Sequence, residues 1–179
     1  MRISRLLSVA SLSGLLLLSL AADEAMQPGL VAEIYDMGAA VEDFPTIPAD
    51  KKPTVKRVDK QVSFDSSTEN WPGTELSEHL FIRWTGSIKA PKAGKYTISI
   101  ESDDGSRVYI DDKLVVDNNG LHGMEEKGAD VELKEGGNAI RVEFFENEGD
   151  AGCKLSWKAP DGEKEIVPAN ALSHKKSAE

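Results

Sequence analysis

From Leu30 onward the chain is cut at short intervals by Gly, Asn, Asp and Pro, and between the cuts apolar and polar residues alternate with a period of two. That alternation puts every second side chain on one face of an extended strand, so the pattern builds an antiparallel all-β fold. Tyr96, Ile98 and Ile100 alternate with Thr97, Ser99 and Glu101, while Ile140, Val142 and Phe144 alternate with Arg141 and Glu143. Each set marks a strand with one buried and one wet face. A longer strand is expected over 81–90 with Ile82, Trp84 and Ile88 on one face, and shorter ones over 30–35, 55–58, 61–64, 107–111, 114–116, 131–133, 155–157 and around 166–167. Turns fall at Pro91-Lys92-Ala93-Gly94, Asp103-Asp104-Gly105, Asp112-Lys113, Glu135-Gly136-Gly137-Asn138 and Asp161-Gly162. Hairpin-linked strands at this spacing imply an antiparallel β-barrel or sandwich.

The first residues follow another rule. Arg2 and Arg5 precede an apolar run from Leu6 to Leu20, with small residues at Ser19, Ala21 and Ala22. Residues 1–21 read as a secretory signal peptide, because the run is shorter than the ~20 residues of a bilayer span. The expected organisation is a leader at 1–21, a short lead at 22–28, one domain over 29–172 and a frayed tail at 173–179. No later segment is apolar enough to span a membrane, so a secreted, periplasmic or cell-envelope location follows. The stretch 38–73, with Pro45, Pro48, Pro53 and Pro72, breaks the strand pattern and reads as a lid over one end of the fold.

Charge narrows the partners. The 31 acidic side chains outnumber the 21 basic ones for a formal charge of −10. Such a surface repels nucleic acid and anionic lipid and attracts divalent cations, although it also serves plain solubility. Cys153 is the only cysteine, so no internal disulfide forms, and a small buried residue in a strand suits it better than a nucleophile. His79, His122 and His174 lack metal-ligand spacing, and there is no G-x-S-x-G or Gly-rich phosphate loop; the chain does not read as an enzyme.

The stretch 102–118, S-D-D-G-S-R-V-Y-I-D-D-K-L-V-V-D-N, concentrates carboxylates beside tight turns. Adjacent carboxylates at a sheet's rim repel one another, so Asp103 and Asp104 call for a hard, oxygen-seeking ion such as calcium. The competing reading is turn chemistry, since Asp bonds its own backbone and tolerates unusual dihedrals.

Several motifs carry a family resemblance. They are Gly29-Leu30 with Tyr35, F-I-R-W-T-G at 81–86, A-P-K-A-G-K-Y-T at 90–97, the 102–118 stretch, I-R-V-E-F-F-E-N at 140–147, L-S-W at 155–157 and I-V-P-A-N-A-L at 166–172. Together they resemble the PA14 domain, the β-barrel module named for the anthrax protective antigen and found in bacterial glycosidases, proteases and yeast adhesins. The resemblance implies sugar binding or adhesion rather than catalysis. In the lectin branch, consecutive aspartates joined by a cis peptide, a later loop asparagine and backbone carbonyls hold a calcium ion that ligates sugar hydroxyls. Asp103 and Asp104 match that pair, Asn147 matches the asparagine, and the carbonyls would come from around Gly149 and Ala151. The loop 117–122 is placed near the same end, where Asn118, Asn119 and His122 would either donate to sugar hydroxyls or form a turn network. Trp71 would either stack on a sugar face or pack as part of the lid, with Trp84 and Trp157 in the core. The implied partner is a glycan or cell-surface polysaccharide, and the alternative is a structural or protein-interaction module of the cell envelope.

Overall fold

In a computed structural model, which describes residues 25–176, the alternating segments form two antiparallel sheets packed as a sandwich. The larger sheet runs in the order β1 (Met26–Pro28), β13 (Leu172–Lys175), β5 (Leu80–Ala90), β10 (Gly136–Glu146), β7 (Ser106–Ile110) and β8 (Lys113–Asn118). Along the same edge of β5 lies β2 (Leu30–Asp36), with β3 (Val55–Asp59) outside it. The smaller sheet is β12 (Lys164–Ile166), β11 (Ala151–Lys158), β6 (Gly94–Asp103) and β9 (Glu125–Leu133), with β4 (Ser63–Ser67) beside β11. The two sheets are not closed into one barrel, so of the two expected architectures the sandwich is the one formed.

The period-two rows meet in the middle. Ile82, Trp84 and Ile88 of β5 and Val142 and Phe144 of β10 face Tyr96, Ile98 and Ile100 of β6 and Cys153, Leu155 and Trp157 of β11, all buried in one apolar cluster. Each fully buried aliphatic side chain contributes about 1.5–3 kcal/mol, which is how the fold stands without a disulfide. The Cys153 thiol is pushed up by burial, as expected for a core residue rather than a nucleophile.

The outer face of the larger sheet carries a row of alternating charge. Cross-strand register sets Lys56 against Glu33, Glu33 against Arg83, Arg83 against Glu143, Glu143 against Arg107 and Arg107 against Asp117. Arg83 donates to Glu143 at 2.9 Å and Arg107 to Asp117 at 2.9 Å. Opposite charges directly across a ladder pin the register of the strands they join.

The Pro-rich excursion divides in two. Its first part forms a strap in which Met37, Val41, Phe44 and Ile47 pack on Tyr35, Phe81 and Phe145, a second apolar cluster on the outer face. Its second part inserts Trp71 into the main core, 2% exposed, with ring centroids 4.6 Å from Phe64 and 5.2 Å from Phe144. A buried indole has no face to offer a sugar, so of the two roles considered for Trp71 the packing one holds.

The first and last described strands, β1 and β13, lie where the sequence pattern places no strand. Ser173 pairs with Pro28 and Ser87, and Lys175 pairs with Met26, so residues 173–175 are sheet rather than frayed tail and β1 lies within the expected lead. Leader residues 1–21 lie outside the described residues. Among the described residues no helix is long and apolar enough to cross a membrane.

Candidate functional site

At one end of the sandwich the inward rows change character together. Ile100 is followed on its face by Ser102, Val108 is preceded by Ser106, Val116 is followed by Asn118, and Phe144 is followed by Glu146. All four polar residues are buried, at 0% exposure. Ser102 Oγ and Ser106 Oγ lie 2.6 Å apart, and Asn118 Nδ2 donates to Ser102 Oγ at 3.2 Å and to the Glu125 carbonyl at 3.0 Å. Buried polar groups of this kind are tied to one another or carry a penalty.

Above this floor the β6–β7 turn places Asp103 and Asp104, joined by a cis peptide, as the resemblance implies. The turn is held low because Gly105 lies against Phe145; a Cβ there would sit 2.3 Å from the ring. Asp104 is the hub. Its Oδ1 accepts from the His122 N–H at 2.8 Å, its Oδ2 accepts from the Asn147 N–H at 3.0 Å, and its own N–H donates to Glu146 Oε2 at 3.0 Å. One carboxylate thereby fixes the loop after β8 and the loop after β10.

Asp103 differs from its neighbour. It is half-buried, and no described residue donates a hydrogen bond to its carboxylate. Burial first, then the charges of Asp104 and Asp150, push its carboxyl up from 3.8 to about 6. Glu146 is pushed further, from 4.5 to about 9, by burial and then by Asp104 and Asp103, with only the Asp104 N–H acting the other way. Its Oε1 is buried with no partner. Ligand atoms of Asp103, Asp104 and Glu146 lie within 4.8 Å of one another. Convergent carboxylates with an orphaned buried oxygen fit a hard divalent cation, which takes six to eight oxygens and would neutralise their repulsion.

The remaining expected residues are distributed around this centre. Asn118 belongs to the buried floor and cannot reach a surface ligand, which corrects its placement among sugar contacts. Asn119 stands half-buried and donates to Asp43 Oδ1 of the strap at 2.8 Å. The His122 ring folds back on its own loop, with Nδ1 2.9 Å from the Gly123 carbonyl and Nε2 3.2 Å from that of Asn118. Asn147 touches the Asp pair through its backbone, whereas its Oδ1 accepts from the Val41 N–H at 2.9 Å. Gly149 is exposed in the loop after β10, and Ala151 opens β11 one residue before Gly152 pairs with Asp103.

Sequence reasoning missed Glu146 and Asp150. For Glu146 the signal was present: Val142 and Phe144 set the inward face of β10, and two residues further falls Glu146. Asp150 is exposed and reaches the centre only through its charge.

The PA14 domain model matches residues 26–171. The chain belongs to the PA14 domain family. Among curated proteins, the anti-sigma-I factor RsgI3 of Acetivibrio thermocellus is 28% identical over 118 residues, covering 65% of this chain and 18% of that protein. An anti-sigma factor domain-containing protein from Clostridium clariflavum is 28% identical with a TM-score of 0.69, covering 86% of this chain and 49% of that one. The PA14 sugar-binding domain from an RTX adhesin superposes with a TM-score of 0.72 over 82% of this chain and 98% of its own, at 19% identity, a likeness of fold. This PA14 chain spans at most about half of the anti-sigma proteins it matches.

Proposed function

We propose that this PA14 domain is a secreted or cell-envelope, non-catalytic carbohydrate-binding module that recognises a glycan or cell-surface polysaccharide through a calcium ion at the Asp103–Asp104 turn. The observation that carries this reading is the Asp103 carboxylate, half-buried beside Asp104 and answered by no hydrogen-bond donor among the described residues. A bound calcium ion would supply a Lewis-acidic seat with coordination positions left for vicinal hydroxyls. The chain's own contribution is placement: Asp104 locks both flanking loops, and those loops bring Asn119, His122 and the 51% exposed Leu121 to the rim. An exposed aliphatic side chain beside polar groups suits the mixed surface of a pyranose ring. The family's sugar-binding member in an RTX adhesin supports the same reading.

A glycan array read with and without calcium tests it. Binding to a defined sugar class that chelator removes is the expected result, and silence across neutral and acidic glycans in both conditions would reject it. The relatives named as anti-sigma factors favour a second reading, a protein-interaction module. Array silence together with calcium-independent capture of one envelope protein would establish that reading instead.

A further inference from the structure

Resting on the ion-binding reading above, we infer that the ion at this edge is held by three carboxylates, Asp103, Asp104 and Glu146, and not by two carboxylates and the Asn147 side-chain amide.

Two glutamates three residues apart on β10 show why. Glu143 is buried, and it is answered by two cations: Arg83 Nε lies 2.9 Å and Arg141 Nη1 2.5 Å from its Oε1. Glu146 is buried more completely, at 0% exposure, yet no Lys or Arg among the described residues pairs with it. Oε2 takes a single backbone N–H, from Asp104, and Oε1 takes nothing. A buried carboxyl left this way stays ionised only where a positive charge meets it. Its nearest partners are the two aspartates, with ligand atoms all within 4.8 Å, so one ion placed among them satisfies all three.

Asn147 is occupied elsewhere. Its N–H serves Asp104, its carbonyl accepts from the His79 N–H at 3.0 Å, and its Oδ1 accepts from Val41 at 2.9 Å. The amide fastens the strap to the loop after β10. The strap is held again by the Asn119–Asp43 bond and by Phe44, packed edge-on at 5.1 Å to Phe145. The alternation of β10 explains the division of labour: Glu146 falls on the inward face beneath the turn, and the next residue leaves that face.

The consequence is a site with one more negative charge than an Asp pair with an amide, and therefore a steeper preference for ions of higher charge. The test is a set of titrations of wild type, Glu146→Gln, Asn147→Ala and Glu143→Gln with calcium by calorimetry and with terbium(III) by sensitised luminescence. Glu146→Gln is expected to lower calcium affinity roughly tenfold or more, because ligand charge count sets the affinity of a calcium site, and to weaken terbium more than calcium. Glu143→Gln should bind both ions as wild type does, and Asn147→Ala, which keeps its N–H on Asp104, should lose less affinity for both ions than Glu146→Gln. Melting in chelator controls for folding: Glu146→Gln should melt at or above the wild-type temperature without ion, yet gain less on adding calcium. Wild-type calcium affinity in Glu146→Gln, or a larger loss in Asn147→Ala than in Glu146→Gln, overturns the inference while leaving the ion-binding reading intact. Absence of saturable ion binding in the wild type overturns both.

Discussion

Two Asp-Asp dipeptides stand at the two ends of one strand, Asp103–Asp104 before β7 and Asp111–Asp112 after it, and they have become different things. Asp111 and Asp112 both take positive φ, 46° and 63°, and make the tight turn into β8. Both are exposed, and Asp111 Oδ1 accepts from the Ala139 N–H at 2.9 Å. This is turn chemistry, in which Asp is chosen because it tolerates the left-handed region and bonds nearby backbone. Asp103 and Asp104 sit over a buried polar floor with Glu146 beneath them. The dipeptide is the same; what lies under it decides whether it can serve as a site. Carboxylates facing water need nothing more, whereas carboxylates facing one another in a half-buried cleft either hold protons or require a cation.

That contrast can be broken most strongly at Asp104. Asp104→Ala removes a proposed ion ligand and the acceptor for both the His122 and Asn147 amides. The expected result is loss of calcium binding together with faster hydrogen exchange at those two amides and destabilisation of roughly 1–3 kcal/mol. Normal protection in the variant would contradict the hub role. Asp103→Ala comes next: calcium binding is lost, while amide protection stays, since no hydrogen bond goes with it.

Solution pH sharpens the comparison through the same groups. Glu146 is raised from 4.5 to about 9 and Asp103 from 3.8 to about 6, so between those limits the folded chain binds more protons than the unfolded one. Stability in chelator should therefore fall as pH rises from about 4 to 9, the sign expected for acids whose charged form is disfavoured by folding. Urea denaturation across that range measures it. Glu146→Gln should flatten the upper part of the slope, and excess calcium should flatten it in the wild type. An unchanged slope in Glu146→Gln would show that Glu146 is not the titrating group. The smallest effect belongs to the other dipeptide: Asp112→Gly, at φ 63°, should shift the melting free energy by less than about 1 kcal/mol and leave calcium binding alone.

Much of the sandwich was legible because its long strands alternate cleanly. Segments 81–90 and 140–144 lie within β5 and β10, with Trp84, Val142 and Phe144 facing inward as the period requires. The strands at the chain ends were not legible: β1 and β13 are too short to show a period, and only pairing such as Gln27 with His174 orders them. Trp71 was ambiguous because an aromatic residue among prolines reads either as lid or as ligand platform. Of the site, the Asp pair showed itself through its turn. Glu146 did not, because an acid next to an asparagine looks solvent-facing, and its contact with Asp104 spans 42 residues of chain. Continuing the inward row from Val142 and Phe144 by one more step would have exposed it.

The most direct measurement is calorimetric calcium titration of the wild type beside two double variants, Asp103→Ala with Asp104→Ala and Asp111→Ala with Asp112→Ala. Saturable binding that disappears in the first variant and persists in the second is the result this account predicts. Binding that survives in the first, or no binding in the wild type, would contradict it and return both dipeptides to turn chemistry.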